Sequence, residues 1–277
     1  MKNDDFQKYF DEKIISVTPY FGGLTNKNYI IKTTDNKYFF RLPNKDIAFL
    51  FDREKEYEIL QMVKPLSIDI DYLFFDSESG IKISKYYPNL LTYSEYKDVN
   101  KLQKVATLLK KLHSLKTLCS SEFSYLSKLE SYKKNIEDNI FDLSDFTYLE
   151  TQYLTYFAPK TLCHNDCVNG NLLFSKENSY LIDYEYAGDN YPIFDVTSFT
   201  TENDLNPDEK GAFYKLYYGK LTPQLSQELI LFEKLHHYLW CHWAMMMYKN
   251  ENKKIYKDIA FNKYKNLTAY QVFTIND

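Results

Sequence analysis

Cys163-His164-Asn165-Asp166-Cys167-Val168-Asn169-Gly170-Asn171 runs into Leu172-Leu173-Phe174 and, after a polar interval, into Leu181-Ile182-Asp183-Tyr184-Glu185. The stretch holds His-x-Asp, then an Asn five residues beyond that Asp, then a second Asp twelve residues beyond the Asn. Moving a phosphoryl group onto a hydroxyl calls for a set of this kind. A carboxylate takes the hydroxyl proton, while an Asn and an Asp hold Mg²⁺ on the nucleotide phosphates. Leu172 to Ser175 and Tyr180 to Ile182 read as two short strands joined by the polar turn Lys176-Glu177-Asn178-Ser179. A hairpin brings its open ends together, so Asn171 and Asp183 are expected side by side, within reach of one ion.

Each of these residues has a plainer reading. A single Asp or Asn is most often a turn residue bonding its own backbone. Turn chemistry alone, however, does not ask for His164, Asp166, Asn171 and Asp183 together at these offsets. Cys163, His164 and Cys167 do not match the paired-Cys or Cys-His spacings of a zinc site, and no second ligand pair lies nearby.

Working outward, further segments fall in a recognisable order. They are Gly22-Gly23-Leu24-Thr25-Asn26-Lys27-Asn28-Tyr29, His164-Asn165-Asp166 through Asn171, Ile182-Asp183-Tyr184-Glu185-Tyr186-Ala187-Gly188, Asn190, Phe194-Asp195 and Trp240-Cys241-His242-Trp243-Ala244. In order and spacing they resemble the choline/ethanolamine kinase family, within the aminoglycoside-phosphotransferase-like kinases, and the bacterial choline kinases most of all. The resemblance spans about residue 20 to residue 250. It implies an α+β, two-lobed protein-kinase-like fold. Residues 1–86 would form an antiparallel-sheet, nucleotide-binding lobe, and 87–277 a larger, mainly helical lobe for catalysis and acceptor binding.

Composition sets outer bounds. With 277 residues the chain can build one large domain or two lobes sharing a cleft. Its 26% charged and 44% hydrophobic residues are those of an ordinary globular protein. A formal charge of −4 without a basic stripe argues against a nucleic-acid partner. The start, Met1-Lys2-Asn3-Asp4-Asp5, has no apolar signal core, and no run approaches the length of a membrane span. Four cysteines, at 119, 163, 167 and 241, make no disulfide pattern, so a cytoplasmic protein with reduced thiols and no membrane partner is expected. Oligomeric state is not legible. Of only seven glycines, four lie inside the segments quoted above, whereas 27 tyrosines and 20 phenylalanines make any single ring weak support for a binding site.

Along the chain, Asp5 to Ile14 has the look of a short helix. Ile15 to Pro19, Asn28 to Thr33 and Lys37 to Leu42 read as strands, with Asp35-Asn36 as a turn. Gly22-Gly23, between the first two, would let backbone N–H groups approach phosphates, although a double Gly between strands is more commonly just a turn. Thr25 and Asn26 on the same loop are the family's matching polar positions, and with Gly23 they are the expected nucleotide contacts. Arg41 ends the third strand. A kinase uses a cation there to hold the α- and β-phosphates, and an Arg fork grips phosphate at least as well as the usual Lys; a solvated strand-end charge is the alternative. Ala48 to Lys64 has helical character and carries the charge run Asp52 to Glu58. The family's Arg-x-x-Glu pattern implies that Glu56 turns inward to Arg41, with Glu54 as its competitor. Tyr72 to Phe75 and Ile81 to Ser84 complete a sheet of about five strands, and Tyr86-Tyr87-Pro88-Asn89 reads as a hinge. Helical periodicity then recurs at Leu102, Val105, Leu109 and Leu112, in Tyr125 to Asn139, in Leu143 to Phe157, from Asn206-Pro207, from Thr222-Pro223 and in Lys254 to Val272.

Trp240 and Trp243 are three apart, so their indoles share a helix face. A quaternary ammonium donates no hydrogen bond and is recognised by π faces, indole best, at roughly 0.5–2 kcal/mol per contact. The surrounding helix is apolar nearly all round, so core packing is the rival reading. The resemblance places Tyr186 and Glu202 in the acceptor pocket with the two indoles, Glu202 supplying compensating charge. The segment after Glu202 offers no clear aromatic partner, and the third wall is unassigned.

The expectation is therefore transfer from ATP to choline. Asp166 is the base, Asn171 and Asp183 hold Mg²⁺ with Glu185 acting directly or through water, and Arg41 tethered by Glu56 positions the phosphates. His164 and Asp195 are expected to scaffold the loop. Ethanolamine or thiamine phosphorylation, aminoglycoside phosphorylation, and a silent choline-binding protein on the same scaffold are the alternatives.

Overall fold

The computed structural model describes residues 3–115, 119–136 and 140–275, so Asn139 of the expected helix from Tyr125 lies outside the described residues. The chain forms two compact units. One comprises Met1–Lys101 with Asn169–Ala187, the other Leu102–Val168 with Gly188–Asp277. These units do not follow a single cut at residue 86, because the segment around Asn171 and Asp183 packs with the N-terminal sheet unit: Leu181 N donates to Ile68 O at 2.8 Å.

The first unit is built on strands β1 (Ile14–Tyr20), β2 (Asn26–Thr33), β3 (Lys37–Pro43), β4 (Tyr72–Phe75) and β5 (Lys82–Lys85), in the antiparallel order β1-β2-β3-β5-β4. The five-strand expectation holds. Helix α1 (Asn3–Gln7) is shorter than the Asp5–Ile14 helix expected, because Ile14 is taken into β1, paired with Thr33. The sheet is covered on both faces, which explains why two consecutive residues of β3, Phe40 and Arg41, are both buried. Side chains alternate across a strand. Phe40 joins the apolar cluster of Phe6, Ile14, Ile31, Ile81 and Ile83, and Arg41 points the other way, toward helix α2 (Arg53–Val63).

Helix α2 begins later than Ala48. Lys45–Leu50 is a kinked 3₁₀ stretch, and Asp52 caps the helix by accepting from Lys55 N at 3.2 Å. Its buried residues are Arg53, Glu56, Ile59, Leu60 and Val63, a stripe at helical spacing whose first two members are charged. Strands β6 (Leu91–Thr92), β8 (Leu172–Phe174) and β9 (Ser179–Leu181) make a second small sheet in this unit.

The second unit is mainly helical. It comprises α3 (Lys101–His113), which starts at the unit boundary, α4 (Tyr125–Lys134), α5 (Tyr148–Thr155), α6 (Pro192–Glu202), α7 (Pro207–Tyr218), α8 (Pro223–Glu251) and α9 (Lys254–Thr268). The helix expected over Leu143–Phe157 is shorter, since Ser144–Phe146 is a 3₁₀ turn, and α9 stops four residues before Val272. Thr222 caps α8 and Pro223 occupies its first turn. From Leu235 to Met247 every residue of α8 is buried, because α4, α5, α6 and α9 pack around it. Strand β7 (Thr161–Cys163) pairs antiparallel with β10 (Gly188–Asn190) and delivers the loop that begins at His164. Among the described residues no helix is long and apolar enough to cross a membrane.

Candidate active site

In the first unit the hairpin forms around Asn171 and Asp183. Leu172 pairs with Leu181, and Ile182 N donates to Asn171 O at 2.9 Å, so the two residues flank the hairpin's open end. Asp183 has φ +69°, a left-handed backbone that Asp tolerates better than most residues, and its side chain is 27% exposed.

Four charged side chains meet beside it. Arg41 bonds Glu56 Oε1 at 2.6 Å, Asp183 Oδ1 at 2.8 Å and Gly80 O at 3.0 Å. Arg53 bonds Glu56 Oε2 at 2.6 Å and Glu185 Oε2 at 3.1 Å. Thr25 and Asn26 close the network, donating to Glu185 at 2.6 and 3.1 Å. Glu56 thus bridges both arginines, while Glu54 is exposed. Arg53, a member of the charge run Asp52 to Glu58, is buried. Its signal was the three-residue offset to Glu56, the spacing that puts two residues on one helix face. Gly80 was also missed. Its φ is +72°, and a Cβ there would come within 2.5 Å of Arg53 Nε, so this turn needs glycine on both counts.

Two guanidinium groups face three carboxyl groups here, and that imbalance sets the electrostatics. Burial alone would raise the Glu56 carboxyl, yet Arg41 and then Arg53 hold it below its ordinary value. Burial and then the Asp183 charge push Glu185 up to about 7, against the pull of both arginines. A site of clustered oxygens with excess negative charge is suited to a hard divalent cation. Asn171 and Asp183 fit as ligands. Glu185 is engaged by Thr25, Asn26 and Arg53, so in this structure it ties the glycine loop to the segment after the hairpin. Gly23 stands on that loop with φ +82°.

In the second unit the loop after β7 carries Asp166. Asp195, on α6, accepts from His164 N at 2.7 Å and from Asn165 N at 2.6 Å. Asp166 N donates to His164 Nδ1 at 3.3 Å. These bonds hold Asn165 at φ +67° and fix the backbone from which Asp166 projects. His113 Nε2 lies 2.9 Å from the same Asp195, and Tyr217 Oη lies 2.7 Å from His113 Nδ1. Burial pushes the Asp195 carboxyl up, but His113 and the His164 N–H hold it below the usual carboxylate range. His113, Cys163 and Asp195 gather closely enough to hold a metal, but the His113 nitrogens are engaged by Tyr217 and Asp195, and the Asp195 oxygens by His113 and the loop.

Trp240 and Trp243 are 7% and 8% exposed and meet edge to face at 5.9 Å. Trp240 Nε1 donates to His236 Nδ1 at 3.2 Å, leaving His236 Nε2 to donate to Phe194 O at 2.8 Å. Burial pushes His236 down to about 3, so it stays neutral. The third ring against the pair is Tyr256 of α9, 5.7 Å from Trp243. Glu202 is met by Lys263 at 2.6 Å. Tyr186 belongs to the first unit, where it packs edge to face on Phe51 at 5.0 Å.

A family model described as choline/ethanolamine kinase matches residues 17–227. The LicA protein of Haemophilus influenzae is 24% identical over 262 residues, covering 87% of this chain and 76% of its own. The crystal structure of choline kinase LicA from Streptococcus pneumoniae superposes with a TM-score of 0.83 at 25% identity, over 96% of each chain. A spectinomycin phosphotransferase crystallised with ADP and spectinomycin superposes with a TM-score of 0.64 at 14% identity, over 95% of this chain and 92% of its own, a likeness of fold alone. The fold is the α+β, kinase-like one.

Proposed function

The chain belongs to the choline/ethanolamine kinase family, and from that premise we propose that it moves the γ-phosphoryl group of ATP onto the hydroxyl of choline, giving ADP and phosphocholine. The class of the reaction, phosphoryl transfer to an alcohol, follows from the family; the acceptor is the finer reading. In the proposed step the choline oxygen bonds to the γ-phosphorus, the bond from that phosphorus to the β-bridging oxygen breaks, and the hydroxyl proton passes to Asp166. Arg41, steered by Glu56, would pair with nucleotide phosphate, and the Gly23, Thr25 and Asn26 loop would cover it. Asn171 and Asp183 would hold Mg²⁺, which when bound neutralises phosphate charge. Glu185 would govern that site indirectly, through the loop it binds. The setting is the cytoplasm, where the four cysteines stay reduced.

The observation that carries choline is the crossed pair of indoles, Trp240 and Trp243, backed by Tyr256. Rings at right angles offer π faces in two directions, which suits a trimethylammonium group better than a flat cation or a polyamine. Aminoglycosides call for an acidic cleft instead. The test is ADP release with Mg²⁺-ATP across choline, ethanolamine, thiamine and kanamycin. Turnover confined to choline, or far faster with it, supports the proposal; faster turnover with any other acceptor sinks it.

A further inference from the structure

Helix α9 buries Tyr256, Ala260, Lys263 and Leu267 on one face, a row in which Lys263 is the one charged member. Lys263 is 8% exposed, and the ion pair it makes among the described residues is with Glu202, at the C-terminal end of α6. The same face of α9 presents Tyr256 to Trp243, two turns away. Cys241, between the two tryptophans in sequence, donates from Sγ to Ala260 O at 3.4 Å, so α8 and α9 are in direct contact at the level of the indoles. Trp243 meets Tyr256 and Cys241 meets Ala260, so the two helices run antiparallel, and Lys263, one turn beyond Ala260, lies level with the turn of α8 that precedes Trp240.

We propose that Lys263, by occupying Glu202, makes the acceptor pocket selective for a quaternary over a primary ammonium. The inference rests on the reading of Trp240, Trp243 and Glu202 as the acceptor pocket. A quaternary ammonium needs π faces and low local polarity, and asks for no acceptor. A primary ammonium brings three N–H donors, and burying them without acceptors is costly. A free Glu202 carboxylate, on the pocket reading above, would satisfy them. With Lys263 on Glu202, that carboxylate is already matched, and a primary amine gains no free acceptor from it. Specificity then comes from withholding a partner from the competitor rather than from an added contact to the favoured substrate.

The experiment measures kcat/KM for choline, N,N-dimethylethanolamine and ethanolamine in the wild type, Lys263→Met, Lys263→Gln and the double variant Lys263→Met/Glu202→Gln. Thermal melts confirm folding in each. Freeing the carboxylate adds a charged hydrogen bond for an ammonium that carries N–H, which choline lacks, so the choline-to-ethanolamine ratio is expected to fall about tenfold or more in Lys263→Met. The change runs through a lower ethanolamine KM, with the dimethyl compound intermediate, and the double variant returns toward the wild-type ratio. Lys263→Gln keeps a donor on Glu202 and tolerates burial better; it must move the ratio in the same direction, which preserves the test where the Met variant unfolds. A ratio within about twofold of wild type in an active, folded variant, or an equal shift in the double variant, overturns the proposal. Wild-type inactivity on all three amines would remove the pocket reading itself, a failure seen before any variant is made.

Discussion

Arg41 and Glu56 meet at 2.6 Å between β3 and α2 with their side chains 6% and 1% exposed, and the other oxygen of Glu56 holds Arg53 at the same distance. One carboxylate therefore compensates two buried cations. Glu56→Gln removes the carboxylate they share and leaves Arg41 only Asp183 and Arg53 only Glu185, and removing one partner of a buried ion pair costs about 3–5 kcal/mol. The variant is expected to lose that much in urea unfolding and to show a raised KM for ATP. Glu54→Gln, on the exposed side of the same helix, should change neither.

Asp166→Ala is expected to lower turnover by roughly 10²–10⁴-fold, the usual contribution of a positioned base. ATP binding, measured by titration calorimetry, should be kept. Turnover close to wild type would remove Asp166 from the role of base.

Asp183 carries a half-buried carboxylate at the hairpin's open end, so its loss should be felt first in the metal. Asp183→Ala is expected to raise the Mg²⁺ concentration for half-maximal ATP binding by roughly tenfold or more. Chelation of the metal should stop turnover in the wild type. Unaltered Mg²⁺ dependence in the variant would assign the ion elsewhere.

Trp243 Nε1 has no hydrogen-bond partner among the described residues, so substitution there removes ring area without orphaning a polar group. Trp243→Ala should raise the choline KM severalfold, in line with roughly 0.5–2 kcal/mol for a cation–π contact. The ATP KM should move far less, and Trp243→Phe should recover part of the loss. An equal rise in both constants would mean that the ring serves packing.

Glu185 gives a pH signature. Its carboxyl is raised in the folded chain from an ordinary value near 4.5 to about 7, chiefly by burial. The folded state therefore holds a proton that the unfolded state has released across that window. This contribution is fully present below the ordinary value and is lost as pH rises through about 7. Metal-free protein should lose unfolding free energy between pH 5 and pH 8, and Glu185→Gln should flatten that part of the profile. A wild-type profile that already matches the variant's would refute the shift.

Much of the fold was legible because its signals are local. Short runs set off by turn residues marked β1 to β5, and the four-residue turn with flanking apolar triplets marked the hairpin between Asn171 and Asp183. Proline and cap residues marked the starts of α7 and α8. The misreadings share one cause, competition at element ends. Ile14 belongs to β1 rather than to α1 because a ladder partner, Thr33, was available to it. Ala48 to Leu50, expected in the helix, belong instead to a 3₁₀ stretch, and the cap at Asp52 sets the true start of α2.

What the sequence alone determined was the family and the set of chemical groups: an Asp, an Asn and a second Asp at hairpin spacing, a cation on the third strand, and two indoles on one helix face. Those offsets are short, and the geometry of a turn or a helix converts them directly into proximity. Only the tertiary structure decided how the charges are shared. It turned Glu56 inward rather than Glu54, engaged Glu185 with Thr25, Asn26 and Arg53, and matched Glu202 with Lys263 from 61 residues away. Pairings over such separations depend on which elements pack together, and each forms because a buried charge must find an opposite charge or a hydrogen-bond donor.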